Sequence, residues 1–201
     1  MDEYKRFAWL YDFALYPAIR KVRKRTAKII KQYNAESIID ICCGTGDQLK
    51  YLREQGFHQV TGVDISQAML KQARKGQTQA NCLNQDASAL SFKSNNFDAA
   101  IIGFALHEKP IAIAQNILKE ARRVLKPNGI LIILDYNQEQ KAPFFIRWMV
   151  HFIERFAGKN HYKNFREYQK AGGLEMLMES QKPIQKHTFH RGITLLNAYK
   201  N

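Results

Sequence analysis

The sequence predicts an α/β fold in which helices cover both faces of a doubly wound, mostly parallel, seven-stranded sheet. From Ser37 onward, short apolar runs alternate with amphipathic segments, which is typical of parallel strands buried between helices. The first apolar run enters a glycine turn, Gly44-Thr-Gly46, and the second run ends in an acid, Asp64. Because right-handed crossovers bring the carboxyl ends of parallel strands to one edge, both features are expected at the same edge of a Rossmann-like sheet.

The N-terminal region, residues 4–33, is predicted to be helical. Pro17 is placed in the first turn of a second helix, where its missing N–H has no cost. Apolar residues recur at three- and four-residue steps and form one stripe opposite a basic face. The stripe consists of Ile19, Val22, Thr26, Ile29 and Ile30. The basic face consists of Arg20, Lys21, Arg23, Lys24, Arg25, Lys28 and Lys31.

The central region alternates between strands and helices. Lys126-Pro127-Asn128-Gly129 predicts a turn before the fifth strand. Asp47 is interpreted as the N-cap of the first helix of this region. The predicted strands are Ser37–Ile41, Val60–Val63, Cys82–Asn84, Phe97–Phe104 and Gly129–Asp135, and the predicted helices are Asp47–Gln55, Ser66–Lys75 and Ile111–Leu125.

After Asp135 the pattern changes. An apolar helix is expected at residues 144–156 and a polar helix at 164–179. Two short strands, Ile184–His190 and Ile193–Tyr199, joined by Arg191-Gly192, predict a closing β-hairpin. The chain is interpreted as one domain, with an N-terminal helical lid at 1–33, a cofactor-binding core at 37–135, a helical insertion at 142–180 and the hairpin at 184–199.

Composition limits the class of protein. A chain of 201 residues with 45% hydrophobic content suits one domain with its own core. No apolar run reaches the length of a membrane span and no signal region follows the N-terminus, so a cytoplasmic protein is expected. The three cysteines are interpreted as free thiols. The net charge of +13 favours anionic partners, namely lipid headgroups, nucleic acid or an acidic small molecule, and a solvated helix face is the alternative.

The glycine turn and Asp64 suit a cofactor that carries a nucleoside. Glycines let the backbone approach the ligand closely, and an acid at the next strand tip can accept both ribose hydroxyls. A nicotinamide-binding turn would have a third glycine three positions after Gly46, where this chain has Leu49. A P-loop is excluded because no Gly-Lys-Ser/Thr follows. The short turn, with Asp40 just upstream, therefore favours S-adenosylmethionine.

Taken together, these motifs resemble those of the class I S-adenosylmethionine-dependent methyltransferases. Tyr11-Asp12, Ala105-Leu-His-Glu108 and the apolar insertion make the chain most similar to the branch that contains ubiquinone and menaquinone methyltransferases and some phospholipid methyltransferases. The resemblance implies methylation of a small, hydrophobic or lipid-like acceptor. The matching segments are Asp40–Gly46, Val63–Ser66, Asn84–Ala87, Phe97–Phe104 and Arg123–Gly129.

The resemblance also implies roles for residues at the cofactor. Asp64 is expected to bind the ribose hydroxyls. Asp86 is expected to accept from the adenine amino group, with the backbone of Ala87 beside it. Gly44 and Gly46 are expected to let the turn pass under the methionine part. For each acid, a helix cap or a surface charge is the alternative.

The rest of the expected cofactor set lies in the same segments. Asp40 is expected to order the turn or to meet the ammonium group through water. Ile65 and Met69 are expected to cover the adenine, and Cys42 stands where many family members have glycine. The complete predicted set is Asp40, Cys42, Gly44, Gly46, Asp64, Ile65, Met69, Asp86, Ala87 and Phe104.

Methyl transfer requires mainly that a nucleophile be aligned behind the methyl group and that water be excluded. A general base is needed only if the acceptor must lose a proton. The expected location is the end of the fourth strand, where His107 is the candidate base because an imidazole titrates near neutral pH. Packing at the strand end is the alternative role for His107. Tyr11 and Tyr136 are further candidates for the wall of the acceptor site.

Nucleic acid is the less favoured acceptor. Enzymes that methylate base amino groups carry an Asn/Asp-Pro-Pro-aromatic motif after the fourth strand, where this chain has Gly103-Phe-Ala-Leu106. No cysteine follows a proline, as the Pro-Cys pair of cytosine-carbon methyltransferases requires. A basic face alone supports only nonspecific, salt-sensitive binding. RNA or protein methylation and a non-catalytic S-adenosylmethionine-binding protein are the alternatives, and nothing in the sequence fixes an oligomeric state.

Two further patterns bear on partners. The apolar segment at 144–156 is interpreted as a core helix or, alternatively, as a lid over an apolar acceptor or a helix that lies on an anionic membrane surface. His161, His187 and His190 are interpreted as surface or strand-face residues, because no acidic cluster accompanies them in the sequence. No metal is expected on this pattern.

Overall fold

The computed structural model describes residues 8–75, 81–137, 144–179 and 181–201, without the side chains of residues 8–18, 145–147, 149 and 157. The strands in these ranges are β1 (Ser37–Ile41), β2 (Gln59–Asp64), β3 (Asn81–Asn84), β4 (Phe97–Gly103), β5 (Leu125–Tyr136), β6 (Gln185–Phe189) and β7 (Thr194–Lys200). The α-helices are α1 (Ala8–Gln32), α2 (Asp47–Glu54), α3 (Gln67–Ala73), α4 (Ile111–Val124), α5 (Phe144–Ala157), α6 (Lys159–Ala171) and α7 (Gly173–Leu177).

The strands form one seven-stranded sheet in the order β3-β2-β1-β4-β5-β7-β6. The first five strands, β1 to β5, are parallel to one another, whereas β7 is antiparallel to both β5 and β6. The chain crosses to opposite sides of β1, first through β2 and later through β4, so a topological switch point lies between β1 and β4. The predicted doubly wound sheet with a C-terminal hairpin is confirmed.

The core occupies both faces of the sheet. On one face, α1, α2 and α3 contribute Ile29, Leu49 and Leu70 to a single buried cluster. On the other face, α4 and α7 contribute Ile117 and Leu174 to a second cluster. Because β1 and β4 are covered on both sides, their residues are buried without the alternation of a half-exposed strand.

The N-terminal helix differs from its prediction in one respect. Its apolar stripe is confirmed, since Val22, Thr26, Ile29 and Ile30 are all buried. The expected break is wrong, because α1 runs as one helix from Ala8 to Gln32, straight through residue 17. A proline inside a helix costs one backbone hydrogen bond and does not have to end it. Residues 1–7 of the predicted lid lie outside the described residues.

Two predicted boundaries take a different form. Leu125 pairs with Phe97 and Ile130 pairs with Ala99, so residues 126–129 loop out between them. The expected turn is therefore a bulge inside β5 and not a connection before it. The polar helix expected at 164–179 is divided between α6 and α7, which meet at Gly172, a residue with φ of 113°. A glycine in this conformation ends a helix at little cost.

The apolar helix α5 has two different sides. Val150 and Glu154 are buried on the side that faces the protein, which agrees with a core helix. Its other side exposes four aromatic residues at four-residue steps, so the core-helix interpretation is wrong for that side. They are Phe144, Trp148, Phe152 and Phe156, with exposed fractions of 81%, 62%, 48% and 56%. Of the described helices, none is long and apolar enough to cross a membrane.

Candidate active site

A cavity of about 440 Å³ lies at the carboxyl ends of β1, β2 and β4. The predicted cofactor and catalytic residues meet in its wall, with three exceptions. Gly46 and Tyr136, both described, lie behind the wall, and the side chain of Tyr11 is outside the described residues. The predicted residues in the wall are Asp40, Cys42, Gly44, Asp64, Ile65, Met69, Asp86, Ala87, Phe104 and His107.

The two glycines of the β1–α2 turn serve different purposes. Gly44 lines the cavity with φ of 54°, and a Cβ added there would meet no heavy atom within 4 Å. Gly46 has φ of 77°, and a Cβ added there would lie 2.9 Å from the Cβ of Ala73. Gly44 therefore leaves space on the cavity side of the turn, whereas Gly46 lets the turn pack against α3.

Asp64 ties the glycine turn to the end of β2. Its Oδ2 accepts a hydrogen bond of 2.8 Å from the Gly44 N–H, and its Oδ1 accepts one of 2.8 Å from the Ser66 N–H. Burial raises the pKa of Asp64, and these two bonds oppose the rise. A carboxylate has about four lone-pair sites, so Asp64 can still accept from a ligand diol.

Asp86 lies at a more exposed part of the same wall. Its Oδ1 accepts hydrogen bonds from the Ser88 N–H at 2.8 Å and from the Ser88 Oγ at 2.7 Å. Both bonds lower the pKa of Asp86, so the group is held as a carboxylate. Neither Asp64 nor Asp86 caps a helix, because the N-cap of α3 is Ser66 and its side chain accepts from Met69.

Asp40 lies inside β1 and is buried, so neither a helix cap nor a surface charge describes it. Burial raises its pKa to about 8; Asp64 contributes to the rise and Arg23 opposes it. The carboxyl therefore holds a proton at neutral pH unless a cation comes close. Asp47 is not the N-cap of α2: Gly46 occupies that position, and the Asp47 carboxylate instead pairs with Arg23 at 3.1 Å.

Two residues of the wall have left-handed backbone conformations without being glycine. Cys42, after β1, has φ of 61°, and Phe104, after β4, has φ of 52°. Each such residue costs on the order of 1–3 kcal/mol. The Phe104 N–H donates to the Leu134 carbonyl at 2.7 Å, which holds this bend against β5. Backbone strain is thus located at the ends of the two strands that flank the switch point.

His107 follows β4 and is only 2% exposed. Its Nδ1 lies 2.5 Å from Asp135 Oδ1, and its Nε2 lies 3.6 Å from Glu154 Oε2. Burial by itself lowers the pKa of His107, but the two carboxylates outweigh burial and raise the pKa well above its usual value. Both nitrogens of the predicted base therefore face carboxylates, and the ring is also packed at the strand end.

Glu154, from α5, connects the side chains of His107, His161 and Tyr136. Its Oε1 accepts from the Tyr136 hydroxyl at 2.9 Å, and its Oε2 lies 2.6 Å from His161 Nε2. Burial raises the pKa of Glu154, but His107 and His161 outweigh it and hold the pKa well below its usual range. Tyr136 also packs against the ring of His107, with 4.8 Å between ring centroids.

His161 has acidic neighbours that the sequence did not indicate. Glu154 Oε2 lies at 2.6 Å from His161 Nε2 and Glu108 Oε2 at 3.5 Å from His161 Nδ1, so the statement that no acidic cluster accompanies this histidine is wrong. His187 and His190 lie on the C-terminal hairpin as expected, beside Arg25 and Thr194. The signal for these contacts in the sequence was weak, namely a single acid in a mostly apolar helix.

An ion pair also borders the cavity near His107. Lys109 Nζ lies 2.6 Å from Glu108 Oε1, and both residues line the wall. Burial lowers the pKa of Lys109, but Glu108 outweighs it and raises the pKa. The wall also contains apolar side chains, among them Ile113 and Leu134. The cavity therefore combines a polar part at the strand ends with an apolar part.

The chain is similar to curated methyltransferases along most of its length. Residues 39–133 match a family model described as a methyltransferase domain. A demethylmenaquinone methyltransferase of Listeria monocytogenes is 33% identical over 210 aligned residues, which cover 94% of this chain and 86% of that protein. A demethylmenaquinone methyltransferase of Bacillus subtilis is 29% identical over 174 residues, which cover 82% of this chain and 74% of that protein.

Solved structures share the fold. A plantazolicin methyltransferase in complex with SAH has a TM-score of 0.70 at 16% identity, covering all of this chain and 91% of that one. A methyltransferase of Thermotoga maritima has a TM-score of 0.66 at 21% identity, covering 98% of each chain. The sheet order, the cavity at the switch point and these relatives agree. The chain belongs to the class I S-adenosylmethionine-dependent methyltransferases, in the branch of the demethylmenaquinone methyltransferases.

Proposed function

We propose that this enzyme transfers the methyl group of S-adenosylmethionine to a demethylated quinol, a small aromatic ring that carries a lipid tail. The observation that carries the proposal is the 33% identity to a demethylmenaquinone methyltransferase over 94% of the chain. The cavity supports it, because apolar Ile113 and Leu134 and polar Glu108 and Lys109 suit a ring with oxygen substituents.

The cofactor lies along the strand ends in this proposal. Asp64 accepts from the ribose hydroxyls, and Asp86 accepts from the adenine amino group. Gly44 passes under the methionine part, and Asp40 compensates the positive charge of that part. The two backbone bonds on Asp64 and the two bonds on Asp86 support these roles, because they fix the carboxylates before the ligand arrives.

The acceptor ring lies beyond the methyl group, next to His107 and Glu108. A carbon or oxygen atom of the ring forms a bond to the methyl carbon, the carbon–sulfur bond breaks, and its electron pair stays on sulfur. The acceptor loses one proton, and the product of the donor is S-adenosylhomocysteine. The enzyme contributes alignment and exclusion of water, which the packing of Phe104 and Tyr136 around this end supports.

The test uses the purified enzyme, labelled S-adenosylmethionine and a reduced demethylmenaquinone with a short tail. We expect label in the quinol fraction together with one equivalent of S-adenosylhomocysteine. Asp64→Asn is the control, since loss of the ribose-binding carboxylate lowers cofactor affinity by about tenfold or more. Label that enters an RNA, protein or phospholipid fraction of a cell extract, with none in the quinol, would overturn the proposal.

The enzyme also contacts the membrane surface in this proposal, because a quinol with a lipid tail resides there. The aromatic face of α5, formed by Phe144, Trp148, Phe152 and Phe156, supports this contact. Its rings pack along the helix, with 5.5 Å between the centroids of Trp148 and Phe152. Exposed basic residues accompany it on α5 and α6, and suit anionic headgroups. They are Arg155, Lys159, Lys163, Arg166 and Lys170.

A further inference from the structure

Three side chains at the acceptor end of the cavity converge as metal ligands would. His107, Glu154 and His161 each offer one ligand atom, and these atoms all lie within 4.8 Å of one another. They come from the end of β4, from α5 and from α6, so the fold and not the local sequence brings them together. Two imidazoles and one carboxylate form a common donor set for divalent transition metals.

Each histidine has a carboxylate beside its other ring nitrogen. His107 directs Nδ1 to Asp135 at 2.5 Å, and His161 directs Nδ1 to Glu108 at 3.5 Å. In metal sites, histidine ligands almost always donate their second ring nitrogen to a carboxylate or carbonyl, which fixes the tautomer and orients the ring. Both Nε2 atoms are thereby directed towards Glu154.

The carboxylate is oriented in the same way. The Tyr136 hydroxyl donates to Glu154 Oε1 at 2.9 Å, which leaves Oε2 on the side of the two histidines. Glu154 is almost completely buried, as is Asp135 behind His107. Among the described residues, Asp135 Oδ2 has no hydrogen-bond partner.

The cluster is accessible from the cavity. His107 and His161 both line the wall that also contains Asp64 and Phe104. A metal ion bound by three side chains would keep coordination positions open. Because two of the three ligands line the cavity, these positions would be reached from the cavity.

We propose that His107, Glu154 and His161 bind a divalent transition metal ion whose open positions take an oxygen atom of the acceptor. On binding, the ion takes the place of any proton on Nε2 of His107 and His161, and these protons are released to solvent, while Nδ1 of each histidine stays directed to Asp135 or Glu108. As a Lewis acid, it stabilises the acceptor oxygen in its deprotonated form beside the methyl donor. The role in catalysis rests on the proposed function, whereas metal binding by the three side chains does not.

Metal binding is tested on the full chain without any acceptor. The protein is stripped with a chelator, and Co²⁺ is added while the visible absorption of Co²⁺ bound to nitrogen and oxygen ligands is recorded. We expect saturation at one equivalent. His161→Ala and Glu154→Gln should each weaken binding by about tenfold or more, which is typical when a metal ligand or its support is removed.

Two controls separate this site from chance binding and from misfolding. His187→Ala removes a histidine of the hairpin, outside the cluster, and should leave the Co²⁺ titration unchanged. Binding of S-adenosylhomocysteine by each variant, followed by calorimetry, reports an intact fold. The proposal is overturned if wild type binds no stoichiometric Co²⁺, or if the folded His161→Ala and Glu154→Gln variants bind it as wild type does. An equal loss of Co²⁺ binding in the His187→Ala variant also overturns the proposal.

Activity is measured separately. Chelation should lower the turnover of the demethylated quinol at least tenfold, and one equivalent of metal should restore it. Unchanged turnover after complete removal of metal would overturn the catalytic role of the ion. Absence of quinol methylation by the metal-loaded enzyme, with Co²⁺ still bound at one equivalent, counts against the proposed function and leaves the metal site standing.

Discussion

At the scale of single residues, the two glycines of the turn between β1 and α2 have different surroundings. Gly44 faces the cavity, where an added Cβ meets open space, and Gly46 faces α3, where an added Cβ meets Ala73 at 2.9 Å. The two glycines are indistinguishable as letters of a motif. The structure therefore separates a residue that lines the cavity from one that packs against α3.

The same substitution is therefore expected to act mainly on ligand binding at Gly44 and mainly on stability at Gly46. Gly44→Ala should cost about 1 kcal/mol of stability, from the strain of a positive φ, but should lower the affinity for S-adenosylhomocysteine by about tenfold or more. Gly46→Ala should cost about 2–3 kcal/mol, because α3 must shift. Urea unfolding and calorimetry measure the two quantities. If Gly44→Ala bound cofactor as wild type does, the turn would not lie against the ligand.

Asp40 is the second residue whose environment has a measurable consequence. Its carboxyl is buried in β1, and its pKa is raised to about 8 by that burial and by Asp64, with a smaller rise from Cys82 and an opposing effect of Arg23. Below this pH the free enzyme holds a proton there. The ammonium and sulfonium groups of S-adenosylmethionine favour the ionised carboxylate.

Cofactor binding should therefore release a proton at pH 7, and the affinity should rise between pH 6 and 8. Calorimetry in two buffers with different heats of ionisation measures the released proton. Asp40→Asn should bind more weakly and should remove the part of the proton release that Asp40 contributes. The stability of the free enzyme should fall as pH rises from about 4 to 8, because the folded state binds the proton more tightly than the unfolded state, and Asp40→Asn should flatten this slope.

At the scale of elements, the sequence predicts a helix or a strand best where one local pattern of apolar residues determines it. β1 and β4 could be predicted because strands that are buried on both faces have continuous apolar runs. The apolar stripe predicted helix α1. It did not predict that the helix continues through residue 17, because the packing of a long helix can outweigh the cost of one proline. The capping role of Asp47 failed because Arg23, from a different element, pairs with its carboxylate.

The part of the site that the sequence could not predict is built from distant elements. His107 meets Asp135 from the next strand and Glu154 from α5, across 28 and 47 positions of the chain. His161 arrives from α6. No periodicity or motif spacing encodes such contacts, since the order of strands and the angle between helices decide them. The sequence could predict that the proposed cofactor residues lie together, because they follow strand ends, which the topology places at one edge.

The exposed face of α5 gives the prediction that belongs to this scale. Wild type should sediment with liposomes that contain anionic lipid, and the bound fraction should fall as salt is raised, because attraction to headgroups is screened. Replacing Trp148 and Phe152 by Ser should lower the bound fraction at least fivefold. Tyr33→Ser, which removes an exposed aromatic residue elsewhere on the protein, is the matched control and should bind as wild type does. Equal, negligible binding of wild type to anionic and neutral liposomes would exclude membrane contact by α5.

At the scale of the whole molecule, the two ends of the sheet have different tasks. The carboxyl ends carry Asp40, Asp64 and the cluster around His107, and are strained or crowded with charge. The amino ends carry charges that tie strands together. Asp98 at the start of β4 accepts from the Ser37 N–H at 2.9 Å and from its Oγ at 2.6 Å, and pairs with Lys126 at 2.9 Å.

The contacts of Asp98 with Ser37 and Lys126 predict how the stability of the fold depends on pH. Burial raises the pKa of Asp98, but the bonds from Lys126 and Ser37 outweigh it and hold the pKa well below its usual value. The ionised group therefore stabilises the folded state above pH 3.8, and the contribution is lost as pH falls from there towards the folded pKa. Asp98→Asn should unfold in urea with about 1–3 kcal/mol less stability at pH 7.

The difference in unfolding free energy between Asp98→Asn and wild type should become smaller as pH falls from about 4 to 2, because Asp98 of the wild type is then protonated. Cofactor affinity should stay unchanged, since Asp98 lies at the end of the sheet opposite the cavity. A variant that kept wild-type stability at pH 7 but lost cofactor binding would contradict this assignment. It would mean that charge at the amino ends of the strands acts on the ligand site and not on the pairing of β1 with β4.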